Sequence, residues 1–223
     1  VSWDLVIFDC DGVLVDSEPI ANRILTEMLN ELGLPIGPTE TRAAFVGRSM
    51  SSCLEIIGAR LGRPAPPGFA RAYEARLFAA FDEELHPVAG VVEALGRIRV
   101  PLCVASSSSL ERMRLALGVT GLLPRFEGRM FSASEVEQGK PDPALFLHAA
   151  RILGARPRAC AVVEDTDVGV QAGQAAGMTV FAFAGGGFPT LTVEHGAIVF
   201  DDMGELPGLL DSQRPDPSGT DAD

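Results

Sequence analysis

Leu5-Val6-Ile7-Phe8-Asp9-Cys10-Asp11-Gly12 is an unbroken apolar run that stops at two carboxylates and a glycine. A continuous run of this length suits a strand buried on both faces, as in a parallel sheet. Four further runs repeat the design. Leu102-Cys103-Val104-Ala105 ends in serines, and Ala159-Cys160-Ala161-Val162-Val163 ends in Glu164-Asp165. Thr179-Val180-Phe181-Ala182 follows, and Ala197-Ile198-Val199-Phe200 ends in Asp201-Asp202. Helical patterns lie between them, over Leu110 to Leu117, Pro143 to Leu153 and Val168 to Ala176. Strands alternating with helices predict an α/β fold with a Rossmann-like open parallel sheet.

One stretch breaks the alternation. From about Pro19 to His86 the pattern is helical throughout, with helices predicted over Pro19–Leu32, Ser51–Leu61 and Phe69–Leu85. The expected organisation is a core of residues 1–16 and 88–211, an inserted α-helical cap of residues 17–87, and a flexible, polar tail of residues 212–223. Hinges are expected near Val15–Ser17 and His86–Gly90.

The 223 residues allow one full core plus an insertion, and 47% are apolar. Eighteen basic residues against 30 acidic ones give a formal net charge of −12. That argues against nucleic acid and anionic membranes as partners. It leaves room for an anionic small molecule, because a metal and a few local cations can reverse the potential in one cleft. Cys10, Cys53, Cys103 and Cys160 form no CxxC pair, so reduced thiols and a cytoplasmic location are expected. No apolar stretch reaches the roughly 20 residues of a membrane span. Val1 to Phe8 contain Asp4 and no basic residue, which does not read as a signal peptide.

The chemistry-bearing residues gather just past the carboxyl ends of the predicted strands, the edge where open α/β sheets bind ligands. Asp9 and Asp11, one residue apart, lie on the same side of an extended chain. Like charges this close call for a cation, and carboxylate with water suits magnesium. Gly12 allows a sharp turn, although a DxDG alone also fits a calcium-type or simple turn. Ser106 opens a serine quartet before a helix, where a hydroxyl and free N–H groups can hold an anion. Plain N-capping is the alternative, and it suits the later serines better. Lys140, the single lysine of the chain, stands before Pro141, which disfavours helix and presents the ammonium rigidly. Glu164 and Asp165 can approach one metal where their strand breaks into a turn. Of the two, Asp165 is the direct ligand expected, with Glu164 binding directly, through water, or orienting its neighbours.

Taken together, Phe8-Asp9-Cys10-Asp11-Gly12-Val13-Leu14-Val15-Asp16-Ser17-Glu18, Ser106, Gly139-Lys140-Pro141-Asp142-Pro143 and Val163-Glu164-Asp165-Thr166 resemble the four ordered motifs of the haloacid-dehalogenase-like superfamily. The helical cap resembles the branch of β-phosphoglucomutases and sugar-phosphate phosphatases. The wording of the first and third motifs is most similar to 6-phosphogluconate-type phosphatases. The resemblance implies a magnesium-dependent phosphatase acting on a small phosphorylated metabolite, a sugar phosphate or sugar-acid phosphate such as 6-phosphogluconate. Asp9 is then the nucleophile and a metal ligand. Asp11 is the general acid and base, with its carbonyl on the metal. Ser106, Ser107 and Lys140 hold the phosphoryl group, and Asp165 with Glu164 completes the metal site. Glu18, Arg48 and Arg76 of the cap are candidate substrate contacts. The protein is expected to act as a monomer or weak homo-oligomer.

Two alternatives remain at this point. A phosphosugar mutase is one, but the cap histidine of β-phosphoglucomutases is lacking from Pro19-Ile20-Ala21-Asn22; the histidines are His86, His148 and His195. A non-catalytic or receiver-like phosphate-binding module is the other; the intact Asp9, Asp11, Ser106, Lys140 and Asp165 argue against a non-catalytic protein, and the receiver-like reading fails on two further counts. Such a module would not place its acceptor in a DxD after the first strand, nor carry so large a cap.

Overall fold

A computed structural model of the chain describes residues 2–46, 48, 50–185 and 196–213. The residues up to Asp16 and those from His86 onward form one compact unit, and Ser17–Leu85 form a second.

The first unit is built on a six-stranded, fully parallel sheet: β1 (Leu5–Phe8), β2 (Leu102–Ser106), β3 (Met130–Ser132), β4 (Cys160–Glu164), β5 (Thr179–Phe183) and β6 (Ile198–Phe200), in the order β3-β2-β1-β4-β5-β6. Every residue of β1, β2 and β4 is buried, as expected of apolar runs covered on both faces. Alternate residues divide between the two faces. Leu5, Ile7, Cys103, Ala105, Cys160, Val162, Val180 and Ala182 meet α8 (Ala144–Ile152) and α9 (Asp167–Ala175) in one core. On the opposite face Phe8 meets Phe126 of α7 (Leu123–Phe126) edge-on, and Trp3 meets Phe181. The Trp3 indole donates to the Leu210 carbonyl of α10 (Leu206–Ser212) at 2.8 Å, so its polar edge is satisfied inside the core. Helices α5 (Val91–Arg97) and α6 (Leu110–Val119) also belong to this unit.

Five strands were legible in the pattern; the sheet has a sixth. β3 is an edge strand of three residues preceded by Arg129, too short to read as an apolar run. β6, at the other edge, begins at Ile198, one residue later than its apolar run suggests.

The second unit is helical: α1 (Glu18–Glu31), α2 (Pro38–Phe45), α3 (Met50–Leu61) and α4 (Phe69–Glu84). Ile20, Ile24, Met28 and Leu29 of α1 and Tyr73, Leu77 and Phe81 of α4 are buried, at the helical spacing that puts each set on one face. Exposed ion pairs, Arg23–Glu84 and Arg76–Glu31, tie these two helices, and Arg60–Glu40 ties α3 to α2. Exposed to water and screened there, such pairs add little to stability.

The chain returns from the second unit two residues before the expected boundary. Pro87 pairs with Val15, and Val88 N donates to Leu14 O at 3.0 Å, which places both residues with the first unit. All four cysteines are free and buried. Among the described residues, no helix is long and apolar enough to cross a membrane. The expected flexible tail, from residue 214 onward, and His195 lie outside the described residues.

Candidate active site

Strand register assembles the site. Phe8 stands beside Val104 on one side and Val163 on the other. The next residues along β1, β2 and β4, which are Asp9, Ala105-Ser106 and Glu164, therefore emerge on one rim.

Asp9 is buried, and its N–H donates to Val163 O at 3.0 Å. Beyond it the chain folds back at once: Gly12 N donates to Val15 O at 2.9 Å, and Leu14 N and Val15 N both donate to Cys10 O. Gly12 has φ +76°, and a Cβ there would lie 2.0 Å from Asp165 Oδ2. Any side chain at this position would meet both strained backbone and the neighbouring carboxylate.

Lys140 brings a buried positive charge to the site. Its side chain is 4% exposed, and Nζ donates to Asp9 Oδ1 at 2.7 Å, to Glu164 Oε1 at 2.5 Å and to Ala105 O at 3.2 Å. An ammonium has three protons, and these three acceptors match them. The Phe146 ring lies under the ammonium at 4.9 Å. Burial pushes the Asp9 carboxyl up to about 7; Lys140 pulls against this, while Glu164 and Asp11 push further upward. Burial also works against the charged lysine, but Asp9 and Glu164 outweigh it, so its pKa lies above the ordinary value.

Glu164 is fully committed. Oε1 accepts from Lys140, and Oε2 accepts from Asp165 N, Thr166 N and Thr166 Oγ1 at 3.0–3.1 Å. Gly169 is required below it, because a Cβ there would fall 1.9 Å from its carboxyl carbon. Thr166 also caps α9 by accepting from Gly169 N at 3.2 Å. The sequence left Glu164 open as ligand or orienting group, and in the folded chain both of its oxygens accept hydrogen bonds. Carboxylate oxygens of Asp9, Glu164 and Asp165 nevertheless lie within 4.8 Å of one another, an all-oxygen group that fits a hard divalent cation. The three donors held on Glu164 Oε2 favour Asp9 and Asp165 as the ligands.

The Asp11 side chain turns elsewhere. Ser108 Oγ donates to its Oδ2 at 2.6 Å, and Arg112 Nη2 donates to its Oδ1 at 2.7 Å. Ser106 is buried at the end of β2, and its Oγ accepts from Ser108 N at 3.3 Å; Ser107 is exposed beside it. Ser109 is the N-cap of α6, accepting from Arg112 N at 3.2 Å. From β3, Ser132 Oγ donates to Ser108 O at 2.8 Å and so fixes the serine loop. Sequence reasoning missed Ser108 and Arg112. Nothing distinguishes Ser108 within four serines, and Arg112 is one of 17 arginines.

The cap candidates are a different matter. Arg76 is exposed and pairs through both terminal nitrogens with Glu31, whose pKa it lowers. Arg48 is exposed, and its Nε donates to Ala44 O at 2.8 Å; Gly47 before it lies outside the described residues. Glu18 is half-buried in the first turn of α1.

Known proteins resemble this chain in sequence and fold. The haloacid dehalogenase-like hydrolase family matches residues 3–177. The 6-phosphogluconate phosphatase of Escherichia coli (strain K12) is 34% identical over 210 residues, 92% of this chain and 94% of that protein. A haloacid dehalogenase-like protein from Agrobacterium tumefaciens str. C58 superposes with a TM-score of 0.81 at 33% identity, covering 95% of this chain and 99% of its own. A second, from Deinococcus radiodurans R1 and solved with bound phosphate and sodium, superposes with a TM-score of 0.78 at 33% identity, covering 94% and 96%. With the family matched from the first strand to the end of α9 and the four motifs meeting on one rim, this chain is a haloacid dehalogenase-like hydrolase.

Proposed function

We propose that this hydrolase is a magnesium-dependent phosphatase that transfers the phosphoryl group of a small sugar phosphate or sugar-acid phosphate to Asp9 and then to water. The observation that carries the proposal is the buried Asp9 carboxylate in contact with Lys140, with Ser106 and Asp11 on the same rim. The names of its relatives support the substrate class, and 6-phosphogluconate is the first compound to test.

Phosphoryl transfer depends on in-line positioning and neutralisation of charge. One Asp9 oxygen attacks phosphorus as the P–O bond to the sugar breaks. Asp11 gives its proton to the departing oxygen. Lys140 holds Asp9 in place and faces the developing charge, while Ser106 offers a hydrogen bond to a phosphoryl oxygen. The product is an acyl phosphate, which divides one hard step into two easier ones. In the second step Asp11, now a carboxylate, takes a proton from water as that water attacks phosphorus, and Asp9 is released. A magnesium ion held by Asp9, Asp165 and the Asp11 carbonyl would neutralise the phosphoryl oxygens. Glu164 acts on this chemistry through Lys140.

The test is hydrolysis of p-nitrophenyl phosphate and of a panel of sugar, sugar-acid and nucleotide phosphates, with magnesium and after chelation. Turnover that needs the metal supports the proposal. Undiminished turnover after exhaustive chelation removes the magnesium, and absence of turnover on every ester removes the phosphatase.

A further inference from the structure

Arg112 has no part in the steps above, yet it holds one of the groups that perform them. Both Asp11 oxygens are engaged, one by Ser108 and the other by Arg112. A turn of Asp11 toward a departing oxygen would loosen one of these bonds. Ser108 is fixed by its neighbours, since Ser132 holds its carbonyl and Ser106 receives its N–H. Arg112 reaches the site from α6 on a long stem, and its side chain is 21% exposed against 13% for Asp11. The arginine bond is therefore the one better placed to open.

A guanidinium that loses a carboxylate beside a substrate is matched best by another carboxylate, which its planar fork can grip with two bonds. The charge balance favours the same exchange. A doubly anionic substrate approaches a chain of net charge −12, and Lys140 is already held by Asp9, Glu164 and the Ala105 carbonyl. Among the described residues Arg112 is a second cation at this rim, paired with Asp11.

We propose that Arg112 is a specificity residue: it binds a carboxylate on the leaving-group side of the substrate, so that the enzyme selects phosphorylated sugar acids over neutral sugar phosphates. This inference rests on the phosphatase reading and narrows its substrate class. In the substrate-free enzyme the same guanidinium positions Asp11, and the substrate carboxylate takes its place.

The test compares 6-phosphogluconate with sorbitol 6-phosphate, an open-chain pair differing in a carboxylate against a hydroxymethyl group. p-Nitrophenyl phosphate is the reference ester, and magnesium is present throughout. The unmodified enzyme is expected to favour the sugar acid in kcat/KM. Arg112→Met should lower the ratio of the two kcat/KM values roughly tenfold to a hundredfold, the usual scale for a hydrogen bond to a charged group, and chiefly through KM. Arg112→Lys should retain part of the preference. Because both values come from one preparation, the ratio does not depend on how much of a variant is folded. An unchanged ratio in Arg112→Met, whatever happens to the common rate, would mean that Arg112 only positions Asp11 and would overturn the inference. So would an unmodified enzyme that hydrolyses p-nitrophenyl phosphate but does not favour the sugar acid; the phosphatase reading would survive that result. No hydrolysis of any of the three esters would overturn both.

Discussion

Asp9 is a carboxylate kept out of water beside a lysine, and both features bear on its chemistry. Asp9→Asn keeps the shape and removes the proposed nucleophile, so turnover should vanish. Asp11→Asn removes the proposed proton transfer together with the charge that Arg112 pairs with, and should slow turnover by roughly 10²–10⁴, the usual scale for a general acid–base. Steady-state assays with p-nitrophenyl phosphate check both. Burial also gives Asp9 a measurable pH signature. Its pKa, ordinarily 3.8, stands at about 7 in the folded chain. Between these values the folded chain holds a proton that the unfolded chain has lost, so the stability contributed by this group falls as pH rises through that window. Asparagine carries no such proton. In thermal melts with chelator present, Asp9→Asn should gain stability relative to the unmodified protein between about pH 4 and about pH 7, then level off. A relative loss over that range would contradict the burial assigned to Asp9. At this scale the sequence was most legible where a polar residue ended an apolar run, as at Asp9 and Glu164, or was unique, as at Lys140. It was least legible at Ser108 and Arg112, whose contact with Asp11 spans about a hundred residues of chain and exists only once β1 and β2 are neighbours.

The elements carry the site through two turns, each made possible by a glycine. After β1, Gly12 lets the chain double back past Asp165; after β4, Gly169 in the first turn of α9 lets the helix begin against Glu164. Gly169→Ala would drive a methyl group into the Glu164 carboxylate, which four donors hold in place. Overpacking of this kind typically costs about 1–3 kcal/mol. The variant should show that loss in urea unfolding together with reduced kcat, because Lys140 moves with Glu164. Stability and activity equal to those of the unmodified protein would mean that the turn is looser than described. The alternation of apolar runs and helical patterns was enough to predict a parallel sheet. It did not show β3, because three residues at a sheet edge leave no periodic signal, nor that Ser132 at the end of β3 would hold the serine loop.

At the scale of the molecule, one unit carries the catalytic rim and the other is a four-helix insertion, and the break in strand–helix alternation after Ser17 made that division legible. Strand order was not legible, since nothing in a linear pattern says that β4 will lie beside β1; the register of the folded sheet does. If Asp9 and Asp165 hold magnesium in the folded chain alone, the metal must stabilise the whole unit by mass action, by about 2.7 kcal/mol at a hundredfold excess over its Kd. Magnesium should therefore raise Tm in the unmodified protein and much less in Asp165→Asn, as calorimetry would record. The central claim, that phosphate passes through Asp9, is tested most directly by trapping the acyl phosphate. Asp11→Asn slows its hydrolysis, so this variant is mixed with substrate, quenched in acid and reduced with borohydride, which converts an aspartyl phosphate to homoserine. Peptide mapping by mass spectrometry should find homoserine at position 9. An unreduced Asp9 with phosphate on a serine or histidine would contradict the account.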